Sequence, residues 1–437
     1  MGSARNSDAT GGIDRRRFLQ GTAIGSAAAG WTLARSVSGV EPAVAAEVVV
    51  GIMGLKRGRA LATSFARRPG VRVKYVCDVD SVRAGSCAEH LRSSMGISAE
   101  PIGDFRRILD DADVHALVCA APNHWHAPAT ILACKAGKHV YVEKPCCHNP
   151  REGELMVEAA RKHHRVVQMG SQRRSSPGII RAIQELHAGV IGPVYLASSW
   201  YHAARPSIGK GHPAEVPATL DYDLWQGPAP RTPYVDNRIP YNWHWFWNWG
   251  NGEIGNNGVH TIDICRWGLG VETPTRVTAS GGRYHYDDDQ QTPDTTMVSY
   301  EFGDDKCMTW RGLSCNRHGS GFVAFYGREG AMQLEGNGTY TIYDHRDKIV
   351  RTEAGTSAGD VEHIDNFLAA VRQDDPSGLN AEIGTGNMST LLCHLGNIAI
   401  RVGRSLDCDR RSGKITDDTQ AMSMWSRDYQ PGWEPTV

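Results

Sequence analysis

Three features that this chain of 437 residues lacks narrow its possible functions. It contains no apolar run of about 18 or more residues, which excludes a protein that crosses a membrane several times. Its 47 Lys and Arg balance 48 Asp and Glu, so no overall basic bias attracts nucleic acid and no acidic excess indicates a solvating tail. Its eleven cysteines form no Cys-x-x-Cys pair, so neither a disulfide scaffold nor a zinc ribbon is indicated.

The N-terminal segment has the features of an export signal, in the expected order. Residues 15–19 have the sequence Arg-Arg-Arg-Phe-Leu, a mildly apolar stretch follows at 21–34, and residues 43–45 offer a small-x-small cleavage site. We therefore expect residues 1–46 to be a twin-arginine signal peptide, which makes the mature protein periplasmic or secreted. The alternative is a disordered basic N-terminus that contains adjacent arginines by chance.

The next segment alternates between strand-like and helix-like composition. Repeated units of this kind predict an α/β fold with a parallel, doubly wound sheet. The strand-like runs are residues 48–50, 71–77, 114–121, 139–142 and 166–169, and the helix-like runs include 60–66, 127–136 and 151–163.

A glycine-containing turn follows the first of these strands. Backbone amides at Gly54 and Gly58 are suited to approach a pyrophosphate at the start of a helix, although Lys56 stands where a further glycine is expected. Asp78 ends the second strand, about twenty residues on, a spacing typical of the acid that binds the adenosine ribose. A carboxylate there repels a 2′-phosphate, which favours NAD over NADP, while nearby Arg57 offers compensating positive charge.

Three further segments carry a family resemblance. They are Pro-Asn-His-Trp-His at 122–126, Glu-Lys-Pro at 143–145, and Gly-Val-His-Thr-Ile-Asp at 258–263. Together and in this order they resemble the glucose–fructose oxidoreductase / inositol dehydrogenase / MocA (Gfo/Idh/MocA) family. The resemblance covers nearly all of the chain after the N-terminal segment.

The resemblance implies two domains and an oligomer. It implies a Rossmann domain over residues 47–170, which binds a nicotinamide dinucleotide, and an α/β domain over residues 171–437. The second domain has an open, mostly antiparallel sheet that forms one wall of the substrate site and often an interface of a homo-oligomer. The sequence agrees, because strand-like runs recur at 194–199, 276–280, 296–302 and 308–312. Seven of the 21 prolines fall between Pro206 and Pro240, which predicts an extended loop there.

Lys144 is the residue that the resemblance places at the substrate hydroxyl, beside the nicotinamide. An ammonium on a flexible stem can bind a hydroxyl, and its pKa falls on burial, so it can relay a proton. Pro145 permits a cis peptide bond that could aim the lysine inward. The alternative is a surface lysine at a strand end. The residues expected to bind the cofactor are Gly54, Lys56, Arg57, Gly58, Asp78, Pro122, Asn123, His126, Glu143 and Lys144.

His260 is the candidate general base, because imidazole titrates near neutral pH. On a helix, Asp263 would share its face and could fix the tautomer of the ring or touch substrate. A structural histidine is the alternative. Many dehydrogenases of the family carry an aspartate four residues before this histidine, where this chain has Asn256, and an amide cannot act as a base. Tyr201 and His202, at the end of the first strand of the second domain, are candidate substitutes.

Other aromatic and histidine residues allow less specific interpretations. Four tryptophans alternate along residues 243–249, and in an extended chain their rings would project from one face. Such a face is either a platform for sugar rings or a buried subunit interface. His124 and His126 have no carboxylate or cysteine companion, so we expect no metal site.

The expected location of the protein constrains its chemistry. Free NAD is scarce outside the cytosol, so an exported enzyme should hold its NAD tightly and regenerate it within the catalytic cycle. The first hypothesis is hydride transfer between the bound dinucleotide and a hydroxyl carbon of a sugar, glycoside or polyol. The second is redox-neutral glycoside hydrolysis through transient oxidation and elimination. The third is a nucleotide-binding sensor without turnover.

Overall fold

The computed structural model describes residues 47–303, 305–319 and 321–437. The expected twin-arginine signal, residues 1–46, lies outside the described residues and stays a prediction. Within the described residues, no helix combines the length and the apolar character that a membrane crossing requires. All eleven cysteines are free, and the adjacent Cys146 and Cys147 are both fully buried.

The first sheet contains six parallel strands in the order β3-β2-β1-β4-β5-β6. This is the strand order of a Rossmann fold, so the predicted parallel sheet is confirmed. Every residue of the Val-rich β1 is buried, as expected for a strand covered by helices on both faces. The strands are β1 (Val48–Met53), β2 (Val71–Cys77), β3 (Glu100–Ile102), β4 (Ala116–Cys119), β5 (His139–Val142) and β6 (Val167–Met169).

Five helices alternate with these strands. Asp80 caps the N-terminus of α2, where its carboxylate accepts the amide hydrogens of Val82 and Arg83, and Gly96 in the left-handed conformation caps the C-terminus. These local signals fix both ends of a helix whose apolar pattern is weak. The helices are α1 (Leu55–Ala66), α2 (Ser81–Met95), α3 (Arg106–Asp110), α4 (Asn123–Lys135) and α5 (Pro150–Lys162).

The second sheet has ten strands, and its central path runs β15-β14-β13-β12-β7-β10-β9-β8-β16. Strand β11 pairs with β7 outside that path, and the pairing of β7 with β10 is parallel while the others are antiparallel. The expected open, mostly antiparallel sheet is therefore confirmed. Its strands are β7 (Val194–Ala204), β8 (Arg276–Gly282), β9 (Thr295–Phe302), β10 (Lys306–Leu313), β11 (Cys315–Asn316), β12 (Val323–Gly327), β13 (Gly330–Leu334), β14 (Tyr340–Asp344), β15 (Ile349–Glu353) and β16 (Leu406–Asp407).

Helices that follow β6 in the chain pack on both sheets. Helix α8 packs on β7, β10 and β12, and α10 contacts both α5 and β8. Helix α9 packs on the first sheet, where the ring of Phe367 lies 5.7 Å from that of Tyr141 and 6.2 Å from that of Phe65. The core of the first sheet is thus completed by a late part of the chain. These helices are α6 (Pro177–His187), α7 (Tyr222–Gln226), α8 (Val259–Leu269), α9 (Asp360–Gln373), α10 (Ile383–Val402) and α11 (Thr419–Met422).

Residues 205–249, here called the bridging segment, connect β7 to a π-helical turn at Ile254–Gly258. The segment is mostly extended loop, as its prolines predict, but it contains α7 and a 3-10 turn at Asn242–Trp245. The expectation of an extended chain with four tryptophans on one face is therefore wrong. Trp243 and Trp245 in the turn, and Trp249 after it, belong to an apolar cluster formed by the bridging segment, and Trp247 does not.

Candidate active site

A cavity of about 350 Å³ lies at the carboxyl ends of the parallel strands, with the bridging segment on its other side. This edge is where open α/β sheets bind their ligands. The structure brings most of the expected site residues to this one cavity. They are Gly54, Lys56, Arg57, Asp78, Pro122, Asn123, His126, Glu143, Lys144 and Asn256.

The turn after β1 brings backbone, rather than side chains, close to the cavity. Gly54 has a φ of +83°, and a Cβ there would lie 2.4 Å from the backbone nitrogen of Ala121, so only glycine fits. Helix α1 begins at the next residue and directs its N-terminus to the cavity, a geometry that suits an anion. Gly58 does not line the cavity. It lies within α1, where a Cβ would approach Ile52, so the structure assigns it to helix–strand packing rather than to cofactor contact.

Asp78 lies at the end of β2, where the spacing of the sequence predicts the ribose-binding acid. Its buried carboxylate accepts the amide hydrogen of Leu55 at 2.8 Å and that of Asp80 at 3.0 Å. The guanidinium of Arg83 lies 3.3 Å from the same carboxylate and also pairs with Asp80. Arg83 lines the cavity and was not singled out from the sequence. Its position in the first turn of α2, just after the acid, is the signal that could have identified it.

The Glu-Lys-Pro segment is held by residues from two neighbouring turns. Glu143 accepts a hydrogen bond from Arg57 Nε at 2.9 Å, and this contact raises the pKa of Arg57. The ring of His126 bridges the carbonyl oxygens of Ala121 and Pro145, at 2.7 and 2.6 Å. The expected cofactor-binding residues His126 and Glu143 therefore also fix the position of the neighbouring lysine.

Lys144 and Asn256 meet in the cavity across the two halves of the chain. The Lys144–Pro145 peptide bond is cis. The ammonium donates to the backbone oxygen of Asn256 and, at 3.0 Å, to its side-chain Oδ1. Burial lowers the pKa of Lys144, while the charges of Glu143 and Glu253 oppose this effect. Asn256 thus binds the lysine at the position where an aspartate was expected.

Glu253, one turn before Asn256, was missed by the sequence analysis. It is almost fully buried and receives Arg205 Nε at 2.6 Å. Arg205 also donates to the hydroxyls of Tyr201, at 3.0 Å, and Tyr241, at 3.1 Å. Tyr201, a candidate substitute base, does not line the cavity, and its hydroxyl is a partner of Arg205. Burial raises the pKa of Tyr201 to about 12.

Asp263 does not hold the ring of His260. Its carboxylate receives Arg174 Nε, 2.8 Å from Oδ2, and Ser389 Oγ, 2.5 Å from Oδ1. Nδ1 of His260 is buried and has no hydrogen-bond partner among the described residues. The expectation that Asp263 fixes the tautomer of His260 is therefore wrong, because the aspartate side chain points toward α10. Burial and the neighbouring charge of Lys144 lower the pKa of His260, although the histidine is outside the set of residues that line the cavity.

The bridging segment supplies an aromatic wall that includes a histidine. His244 lines the cavity beside Tyr241 and Trp243, and its ring stacks on that of Trp243 with centroids 3.6 Å apart. Nδ1 of His244 lies 2.6 Å from the carbonyl oxygen of Tyr241, and burial lowers the pKa of the ring to about 3. The sequence analysis noted the tryptophans but gave His244 no role.

His124 and His126, near the carboxyl ends of the strands of the first sheet, both contact backbone carbonyl oxygens. Nε2 of His124 lies 2.9 Å from the carbonyl oxygen of Trp225, and His126 is bonded as described above. Among the described residues, no group of three or more His, Cys, Asp or Glu side chains is placed to hold a metal ion.

Comparison with known families gives two matches that together cover most of the chain. Residues 48–171 match the model of an oxidoreductase family, NAD-binding Rossmann fold. Residues 204–435 match the model of an oxidoreductase family, C-terminal alpha/beta domain.

Among curated proteins, the relatives differ in how much of the chain they match. Inositol 2-dehydrogenase of Salmonella typhimurium is 30% identical over 36% of this chain and 45% of its own length. Levoglucosan dehydrogenase of Pseudarthrobacter phenanthrenivorans is 27% identical over 38% of this chain and 36% of its own. The chain thus matches less than half the length of either dehydrogenase. Glycosyl hydrolase family 109 protein 2 of a Shewanella species is 24% identical over 92% of this chain and 91% of its own.

Solved structures show the same fold. A levoglucosan dehydrogenase in complex with NADH and levoglucosan superimposes with a TM-score of 0.65, at 19% identity, over 83% of this chain and 99% of that one. The aldose-aldose oxidoreductase from Caulobacter crescentus complexed with glycerol gives 0.64 at 18% identity, over the same shares of the two chains.

Proposed function

Because the chain belongs to the Gfo/Idh/MocA family of oxidoreductases, we propose that it transfers a hydride between a nicotinamide dinucleotide and a hydroxyl-bearing carbon of a sugar, glycoside or polyol. The observation that carries this proposal is the position of Lys144. Its ammonium lies in the same cavity as the turn at Gly54 and the acid Asp78. An amine at this position can bind the hydroxyl of a substrate that faces the dinucleotide.

The residues of the cavity fit a nicotinamide dinucleotide. A Cβ at Gly54 would collide with the backbone of Ala120 and Ala121, so the two turns that border the cavity pack directly on each other. The N-terminus of α1, which begins at the next residue, is suited to the pyrophosphate. Asp78 would hold the adenosine ribose, and its charge favours NAD over NADP. When bound, the dinucleotide supplies the hydride acceptor or donor.

The residues of this chain would then bind and orient the substrate and accept its proton. Lys144 binds and orients the reacting hydroxyl, and Asn256 holds the ammonium in place through its Oδ1. The family resemblance assigns the hydroxyl proton to His260, a neutral ring that lies outside the cavity lining but near enough to Lys144 for the ammonium to lower its pKa. Asp263 has a structural role in this proposal, as the partner of Arg174.

We also propose that the dinucleotide is held tightly. The bridging segment is bonded to the turn that follows β2, because Ser81 donates its amide hydrogen to Thr219 and Asp221 donates its own to Val79, both at 2.9 Å. A further contact at 3.1 Å joins the indole of Trp125 to the carbonyl oxygen of Trp225. A ligand in the cavity beneath this segment would leave slowly.

We also propose export by the twin-arginine route, from the N-terminal sequence pattern, and formation of a homo-oligomer, from the family.

Absorbance of the purified protein tests the proposed function. We expect dinucleotide to copurify with the protein, and the reduced-nicotinamide band to grow or bleach when a suitable sugar, glycoside or polyol is added. A protein that arrives without dinucleotide and binds neither NAD nor NADP would refute the proposal and would favour neither enzyme hypothesis.

Redox-neutral glycoside hydrolysis is the second candidate. The glycosyl hydrolase family 109 relative supports it, since that match extends over nearly the whole of both chains. The amide at Asn256, where many dehydrogenases of the family have a carboxylate, supports it as well. Release of the aglycone from a glycoside without net change in nicotinamide absorbance would identify this activity. The third hypothesis, a sensor without turnover, gives no role to Lys144 and His260.

A further inference from the structure

Glu253 immediately precedes the π-helical turn that carries Asn256, and its own side chain does not line the cavity. Its buried Oε2 accepts from Arg205 Nε at 2.6 Å and from Ser314 Oγ at 3.2 Å. Its Oε1 accepts from the side-chain amide of Asn257 and faces Nδ2 of Asn256 at 3.5 Å. An ionised carboxylate only accepts, and each of these contacts is with a donor. The structure therefore fixes a buried negative charge beside Asn256.

The side-chain amide of Asn256 lies between this carboxylate and the ammonium of Lys144. Its Oδ1 accepts from the ammonium at 3.0 Å, and its Nδ2 faces Glu253. An ammonium only donates and a carboxylate only accepts, so one orientation of the amide satisfies both neighbours. The flipped amide would set a donor against the ammonium and an acceptor against the carboxylate. Glu253 thus helps to fix the oxygen that binds Lys144.

The same contact gives a physical reason for an amide at residue 256. A carboxylate there would face the carboxylate of Glu253, and two like charges in a buried site disfavour each other. Many dehydrogenases of the family carry an aspartate at this position. In this chain the negative charge lies three residues earlier, behind the cavity wall rather than on it.

Glu253 is also one of the charges that act on Lys144 from outside its own segment. Burial lowers the pKa of Lys144, and the negative charges of Glu143 and Glu253 oppose that effect. The positive charges of Arg57 and Arg205 add to it, but each of these arginines is paired with one of the two glutamates. The neighbouring rings of His126 and His244 have lowered pKa values because they are buried, so they add no charge at neutral pH.

We propose that Glu253 is a positioning residue, which acts through the amide of Asn256 to orient the ammonium of Lys144 toward the substrate hydroxyl. The catalytic part of this inference rests on the proposed function, because the hydroxyl is that of the proposed sugar, glycoside or polyol. The placement of the ammonium does not, since it depends only on residues of this chain. Glu253 touches neither substrate nor dinucleotide in this account.

The titration of Lys144 tests this role without substrate. In the purified protein labelled with ¹³C at lysine Cε, and with Lys144→Met used for assignment, the Cε resonance reports the protonation of the amine. Glu253→Gln keeps the shape of the side chain but removes its charge, so the midpoint should fall by about one pH unit. Glu152→Gln is the matched control. Glu152 is equally buried and pairs with Arg427 at 2.8 Å, but it does not line the cavity, so the midpoint should stay that of wild type.

A charge swap separates the charge of Glu253 from general damage to the fold. Asn256→Asp alone adds a second carboxylate and should raise the midpoint of Lys144. The double variant Glu253→Gln/Asn256→Asp again has one carboxylate next to the lysine, and its midpoint should return toward that of wild type. Comparison of Asn256→Asp with the double variant measures the charge of Glu253 a second time, so the test stands even when Glu253→Gln does not fold.

The possible outcomes distinguish this inference from the proposed function. Equal midpoints in wild type and Glu253→Gln, or the same fall in Glu152→Gln, would overturn the role of Glu253. A double variant that titrates like Asn256→Asp would overturn it as well. In the enzyme with dinucleotide and substrate, the limb of the pH–rate profile that depends on Lys144 should move in the same order as the midpoints. Absence of dinucleotide reduction with every sugar, glycoside and polyol would refute the proposed function, whatever the titration shows.

Discussion

The carboxylate of Asp263 and the guanidinium of Arg174 form a buried ion pair, with Nε 2.8 Å from Oδ2. Removal of one member leaves the other charge buried without its partner, which typically costs about 3–5 kcal/mol. We therefore expect Asp263→Asn to lower the free energy of unfolding by about this amount, measured by denaturant titration. The folded variant should still bind dinucleotide and react with substrate. Normal stability with lost turnover would instead show that Asp263 contacts substrate.

Lys144→Met should separate chemistry from cofactor binding. The change keeps the length of the side chain but removes the ammonium, so turnover should fall by about 100-fold or more. The dinucleotide should remain bound, as measured by absorbance after gel filtration. Lys135→Met, at the exposed end of α4, is the control and should turn over at the rate of wild type. A rate like that of wild type in Lys144→Met would exclude the lysine from the mechanism.

Asn256→Asp restores the carboxylate that many family members carry. The Oδ1 of residue 256 lies 3.0 Å from the ammonium of Lys144, so a negative charge there should raise the pKa of the lysine. We expect the limb of the pH–rate profile that depends on Lys144 to move to higher pH. An unchanged profile would show that this limb belongs to another group.

Asp78→Ser should change the preference between dinucleotides. The carboxylate repels a 2′-phosphate, while Arg83, 3.3 Å away, would become free to pair with one. We expect the ratio of the Kd for NAD to the Kd for NADP to rise by about tenfold or more, which corresponds to about 1.4 kcal/mol. Calorimetric titration of both nucleotides measures this ratio. Asp80→Ser, which leaves Asp78 in place, should retain the preference for NAD.

Buried histidines should make the protein sensitive to acid. Burial lowers the pKa of His363 to about 4 and that of His124 and His394 to about 3, whereas in the unfolded chain each titrates near 6.5. Between pH 6.5 and 4 the unfolded state binds protons that the folded state does not. Each histidine then lowers the free energy of unfolding by about 1.4 kcal/mol per pH unit as the pH falls. Calorimetry should show a lower Tm at pH 5 than at pH 7, and an equal or higher Tm would contradict this account.

The sequence predicts those parts of the fold whose signals are local. The bounds expected for β2 and β5 agree with the structure, because continuous apolar runs mark buried parallel strands. Strand β3, with only three residues, and α2, with its weak apolar pattern, were missed. Helix α6 was missed as well, although Pro177 at its first position and its apolar face at Ile179, Ala182, Ile183 and Leu186 are recognisable signals.

The candidate site was predictable where its residues follow strands of the first sheet. Lys144 and Asp78 could be identified because the ends of parallel strands meet at one edge. Residues that do not follow a strand of the first sheet could not be assigned to the site, or excluded from it, by this rule. The contact of Asp263 with Ser389, and the position of His244 on the cavity wall, depend on how distant segments pack. No spacing within the sequence encodes those distances.

Helix α9 has a consequence for how the protein is made. The rings of Phe65 and Tyr141 acquire their cover from Phe367 only when that helix has left the ribosome. Until then the nascent chain presents an apolar face of its nucleotide-binding half to the solvent, where chaperones and proteases can reach it. A fragment truncated after β6 would keep this face permanently and should aggregate.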